Sequence, residues 1–175
     1  MEQESLGRHL DALYRAAWAL CGSREDAEDL VQDTFARVLA RPRVIRGDER
    51  GYLLRALRNT FYSRLRTDSR RPQTAAMPED APFPDGRTAQ QPERATEVKE
   101  ILEAIAALPE DFRLAIVAVD ILGLSYAEAA RALSTGEATI TTRLYRARQR
   151  ISRAFPPPSD DEPAREGSGS RRSLA

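Results

Sequence analysis

The side chains with most chemistry to offer crowd together near the C-terminal end of the sequence. Thr139, Thr141, Thr142, Arg143, Tyr145, Arg146, Arg148 and Arg150 lie within a segment, 137–153, that holds five Arg against one Glu. Guanidinium forks match phosphate oxygens and guanine edges, while hydroxyls and a phenol supply neutral hydrogen bonds. That chemistry is recognition of duplex DNA rather than catalysis. One His (His9) and one Cys (Cys21) are present in the whole chain. Neither has a second member of its kind for a metal cage, and no clustered ligands or catalytic pair accompany them, so no cofactor, metal or enzymatic activity is expected. His9 falls in the polar part of a helical pattern and is read as a solvated surface residue. Cys21 ends an apolar pattern and is read as buried filler. Taken alone, the basic C-terminal pattern suits an ordinary helical hairpin with a solvated arginine face just as well.

The elements that must position these residues are legible around them. Ser125 and Glu128 have capping-box spacing, which predicts a helix starting at Tyr126. Ala127, Ala130 and Leu133 put small apolar groups on one face. Ser134 and Glu137 repeat the capping-box spacing, with Gly136 inside the break. A second helix then carries Ile140, Leu144, Ala147, Ile151 and Phe155 at steps of three and four. Two helices, a tight turn, small residues at the crossing and a basic outer face describe a helix-turn-helix.

The total charge is balanced, 27 basic against 27 acidic residues, but it is segregated. Residues 41–71 hold ten Arg and three acids. They begin with a basic loop over 41–50 that carries Val44 and Ile45, two branched apolar residues suited to a core or to a flat base. A helix over about 51–66 follows. Leu53, Leu57, Phe61 and Leu65 are expected to face inward. Tyr52, Arg55, Arg58, Asn59, Tyr62, Arg64 and Arg66 line its other faces. Rings interleaved with arginines suit single-stranded nucleic acid, where bases stack and phosphates pair. Residues 1–40 invert the balance, with four Arg and eight acids. A helix over 5–21, stopped at Gly22, is followed by one capped by Ser23. The second is expected to bury Ala27, Leu30, Val31, Phe35, Val38 and Leu39, and to show Asp29, Gln32, Asp33 and Arg37. An acidic face points to a partner other than nucleic acid.

Pro72, Pro78, Pro82, Pro84 and Pro92 break any helix over 67–93. Helical periodicity returns over 94–108 and again after Pro109, where Phe112, Ala115, Ile116, Val119 and Leu122 form a stripe closed by Gly123. The expected architecture is all-α, with two small helical domains joined by a flexible linker. Their bounds are 1–70 for the first, 71–93 for the Pro-rich linker, and 94–155 for a four-helix domain ending in the helix-turn-helix. A tail over 156–175 reads as disordered. No apolar run reaches membrane-spanning length and Met1 is followed by acids, which predicts a soluble cytoplasmic protein without membrane insertion.

Three stretches together resemble the extracytoplasmic-function sigma factors, compact sigma subunits of bacterial RNA polymerase. They are 13–35, with its Asp26-Ala27-Glu28-Asp29-Leu30-Val31-Gln32-Asp33 run; 52–66, beginning Tyr52-Leu53-Leu54-Arg55; and 108–148, containing Gly123-Leu124-Ser125-Tyr126-Ala127-Glu128. The resemblance implies that Asp29, Gln32, Asp33 and Phe35 dock on core RNA polymerase. It implies that the third helix and its preceding loop melt and hold the minus-ten element, placing Val44 and Ile45 near a flipped base with Tyr52, Arg55, Arg58, Asn59 and Tyr62 beside them. The helix through 139–150 would read the minus-thirty-five element as duplex. Core polymerase and promoter DNA are then the partners, with room for an anti-sigma factor. Ser63 stands where the family commonly has an acid, Ser134 where it often has Gly, and Thr141 where a basic residue is frequent, so a promoter sequence does not carry over. A stand-alone helix-turn-helix regulator is the rival reading; it has no use for the single-strand surface.

Overall fold

The computed structural model describes residues 7–40, 48–68 and 92–155. Residues 41–47 of the basic loop, with Val44 and Ile45, residues 71–91 of the Pro-rich linker and the tail lie outside the described residues; the last two expected linker positions, Pro92 and Glu93, are instead the start of a helix. The described chain is helical, with no strand among the described residues. The helices are α1 (Leu10–Cys21), α2 (Arg24–Ala40), α3 (Glu49–Asp68), α4 (Pro92–Ala106), α5 (Glu110–Ile116), α6 (Tyr126–Leu133) and α7 (Glu137–Ala154). Between α5 and α6 the chain runs on through a widened turn, Val117–Ile121, in which the Leu122 N–H reaches back five residues to the Val117 carbonyl at 3.0 Å.

Local chemistry sets the first boundary. Gly22 takes the left-handed conformation at φ 77° and its N–H closes α1 on the Trp18 carbonyl. A side chain there would be strained, which is why a glycine ends the helix. Ser23 then starts α2, its Oγ accepting the Asp26 N–H at 3.3 Å, while Glu25 and Asp26 sit in the dipole-favoured first turn.

Packing departs from the simple stripes in α2, α3, α4 and α6. In α3, Leu53, Leu54, Leu57 and Thr60 are buried, whereas Leu65 is 49% exposed. Steps of four advance about 40° beyond a full turn each, so a stripe extended from Leu53 to Leu65 winds off the core. Thr60 and its counterpart in α2, Thr34, occupy core positions because each hydroxyl donates to the carbonyl one turn back, at 2.9 Å and 2.7 Å. Leu39 is exposed for the reason Leu65 is, and Phe35 is half-buried against the core. Val98 and Ile101 of α4 are also exposed, while Leu102 and Ile105 go in. In α6 the buried residues are Ala129, Ala130 and Ala132.

The two helical halves share one apolar cluster, since α1 packs on α2 and also on α4. Polar clamps accompany it. Arg113 Nη1 donates to the Leu20 carbonyl at 2.8 Å, and Arg50 Nη1 donates to the carbonyls of Leu122 and Gly123 at 3.3 and 3.2 Å. Tyr62 of α3 donates to Glu110 of α5. His9 is not a simple solvated residue: its Nε2 lies 3.0 Å from Glu49 Oε2, because the packing of α1 on α3 brings the two together.

Candidate nucleic-acid interface

The helix-turn-helix is built from the caps outward. Ser125 and Glu128 form a full capping box: Glu128 N–H donates to Ser125 Oγ at 3.3 Å, and Ser125 N–H donates to Glu128 Oε2 at 2.8 Å. Hydrogen bonds from Ser125, first from its hydroxyl and then from its backbone, hold the Glu128 carboxyl below its ordinary range. The second expected box does not form. Ser134 instead closes α6 in the left-handed conformation at φ 55°, and Gly136 is the N-cap of α7, with no side-chain cap bond. Spacing alone could not separate a residue that starts one helix from a residue that ends the one before. In a three-residue turn, closing α6 takes precedence.

Ile140, Leu144 and Ala147 bury the inner face of α7. The opposite face therefore exposes Thr139, Thr141, Thr142, Tyr145, Arg146, Arg148 and Arg150, and leaves Arg143 half-buried. Thr141 and Thr142 donate to the carbonyls of Glu137 and Ala138, both at 3.0 Å, which leaves their oxygens free to accept. Tyr145 is 64% exposed, and its hydroxyl accepts from Gln149 Nε2 at 2.9 Å.

The arginines, alike in sequence, are unlike in place. Arg146 is exposed and makes no ion pair among the described residues. Arg143 Nη2 pairs with Asp111 Oδ2 at 2.7 Å. Arg148 grips Asp120 with both Nε and Nη2, at 3.1 and 2.5 Å, and the bond to that carboxylate raises the guanidinium pKa further. Arg150 lies over the Phe112 ring, 5.1 Å from its centroid. Asp111 and Asp120 are thus part of this surface, and nothing local in the sequence marked them. They stand 32 and 28 residues from the arginines they hold.

On α3, Arg55 and Asn59 are exposed one turn apart, and Tyr52 and Arg58 are half-buried. Tyr62 is committed to Glu110; burial and then that bond raise its phenol pKa. On α2, Asp29, Gln32 and Asp33 are exposed in one stripe. Arg64 of α3 turns toward them, 3.2 Å from Asp29 and 3.9 Å from Asp33, so it belongs to the acidic face rather than to the basic one.

Both halves of the chain match known proteins. The family model for "Sigma-70 region 2" matches residues 6–71, and that for "Sigma-70, region 4" matches residues 99–151. The chain is similar to "ECF RNA polymerase sigma factor SigE" of Mycolicibacterium smegmatis, 35% identical over 152 residues, covering 85% of this chain and 59% of that one. It is 36% identical over 148 residues to "ECF RNA polymerase sigma factor SigM" of Mycobacterium tuberculosis, covering 83% of this chain and 72% of that one. Among solved structures it resembles the sigma factor RpoE in complex with the anti-sigma factor NepR from Bartonella quintana. There the TM-score is 0.65 at 28% identity, over 86% of this chain and 94% of that one.

Proposed function

This chain belongs to the extracytoplasmic-function sigma factors of bacterial RNA polymerase, and from that premise we propose a division of labour among its three charged surfaces. The stripe of Asp29, Gln32 and Asp33 docks on core polymerase, with Phe35 fixing the helix behind it. The basic loop and the α3 face of Tyr52, Arg55, Arg58 and Asn59 open and hold the minus-ten strand. The α7 face, led by Arg146 with Thr139, Thr141, Thr142 and Tyr145, reads the upstream element as duplex. Bound core enzyme and promoter DNA then make one initiation complex. An anti-sigma factor, like the one bound to the Bartonella quintana relative, is a further expected partner.

The observation that carries the reading is α7. One face is fully buried through Ile140, Leu144 and Ala147, while the other exposes the Arg146 guanidinium, the Tyr145 phenol and the accepting oxygens of Thr141 and Thr142. A helix so divided, preceded by a second helix and a tight turn, matches what a major groove accepts. Tyr62 joins the minus-ten surface only after it exchanges Glu110 for DNA.

The test is co-purification with core polymerase followed by run-off transcription on genomic DNA. The reading expects a stable complex and discrete start sites that core polymerase alone does not give. Duplex binding without any complex with polymerase would favour the stand-alone regulator instead.

A further inference from the structure

Two acids that lie outside the recognition helix hold two of its arginines. Asp111 sits in the first turn of α5, and Asp120 lies in the widened turn after α5. The Asp120 pair is bidentate, with Arg148 Nε 3.1 Å from Oδ2 and Nη2 2.5 Å from Oδ1. A carboxylate offers a guanidinium two oxygens and a negative charge, the same recognition chemistry as a DNA phosphate. Asp120 lies inside the widened turn, two residues before the Leu122 N–H that reaches back to the Val117 carbonyl. Arg146, between the two held arginines, has no such acid among the described residues.

We propose that Asp120, seconded by Asp111, is a specificity-setting positioning residue: it occupies Arg148 as an internal substitute for a phosphate, so that an arbitrary duplex meets α7 without it. Arg148 transfers to the DNA backbone only when α7 is seated on a matching element and the phosphate comes close enough to displace the carboxylate. Each held arginine removes about one ion-releasing contact from non-specific binding while leaving base reading to Arg146. The proposal rests on α7 being the duplex-reading helix.

The experiment measures binding of the full chain to a labelled random-sequence duplex across a salt series. Asp120→Asn is expected to steepen the slope of log K against log salt by about 0.9. The same contact makes its gain in affinity about three- to fourfold larger at 50 mM than at 200 mM salt. Asp111→Asn is expected to do likewise through Arg143, whereas Asp120→Glu keeps the wild-type slope because it keeps the pair. Glu100→Gln, on exposed α4 surface, is the charge-matched control and should leave the slope alone. Adding Arg148→Gln to Asp120→Asn should abolish the gain. A gain that survives Arg148→Gln, or that Glu100→Gln reproduces, overturns the proposal. An Arg150→Gln variant removes an exposed α7 charge other than the base-reading Arg146 and the two acid-held arginines; if it does not lower the slope, α7 does not meet the duplex, and the proposal falls with that reading.

Discussion

Arg113 offers a measurement of how firmly the two halves of the chain are joined. Its side chain leaves α5 and donates twice, to the Leu20 carbonyl at the end of α1 at 2.8 Å and to the Leu108 carbonyl at 3.2 Å. The Leu20 carbonyl lies in the last turn of its helix, where carbonyls lack intrahelical partners. A charged hydrogen bond contributes about 1.5–3 kcal/mol. The lower figure suits a half-buried site, with about 1 kcal/mol for the longer second bond. Against this stands Arg113 Nε, buried without a protein partner among the described residues, at a cost of about 1 kcal/mol. Replacing Arg113 by Leu also strands the Leu20 carbonyl, so the net loss should be about 2 kcal/mol, or about 4–8 °C in Tm for a chain of this size. Arg113→Lys keeps the charge but loses the fork, and should lose about half as much. Urea unfolding followed by Trp18 fluorescence and by far-UV circular dichroism gives both numbers. The two signals should coincide, because the halves share one core. A loss under about 0.5 kcal/mol for Arg113→Leu, or a Lys variant as weak as the Leu variant, would refute the reasoning.

Four further outcomes are expected. Asp33→Arg should weaken co-purification with core polymerase while costing less than about 1 kcal/mol of stability, since Asp33 is exposed and only loosely paired with Arg64 at 3.9 Å; normal polymerase affinity would remove the docking assignment. Asn59→Ala should leave that complex intact but slow strand opening, read by permanganate reactivity on duplex and pre-melted promoters; an equal defect on both templates would exclude a role in melting. Arg146→Ala should cost about 1–3 kcal/mol on the preferred upstream element and much less on an altered one, in holoenzyme binding assays. Burial, with Asp26 adding to it against Arg64 and Arg113, pushes the Cys21 thiol from 9.0 up to about 12. Its folded pKa lies above its unfolded one, so its contribution to stability is complete below about pH 9 and is lost as pH rises toward 12. At pH 8, iodoacetamide should label the folded chain at least about tenfold more slowly than the urea-unfolded chain.

Much of this molecule was written in local sequence. Gly22, Ser23, Gly123 and the Ser125–Glu128 box mark helix ends because a cap acts across three or four residues and needs nothing distant. The inner face of α7 was equally legible, since Ile140, Leu144 and Ala147 keep the period over a short span. Segregated charge separated the acidic and basic surfaces. What the sequence could not decide were matters of direction and of long range. Whether Ser134 ends α6 or starts α7 depends on how tightly the two helices cross. Leu65 or Thr60 could have faced the core until α3 was laid on its neighbours, and Thr60 qualified only because its hydroxyl found a carbonyl. Five arginines on one helix looked equivalent. Folding brought Asp111, Asp120 and Phe112 against three of them and left Arg146 without an ion pair, because residues about thirty positions apart meet only when α5 packs on α7. The composition of the exposed α7 face was thus set by the sequence, and tertiary packing decided which of its arginines are held by acids.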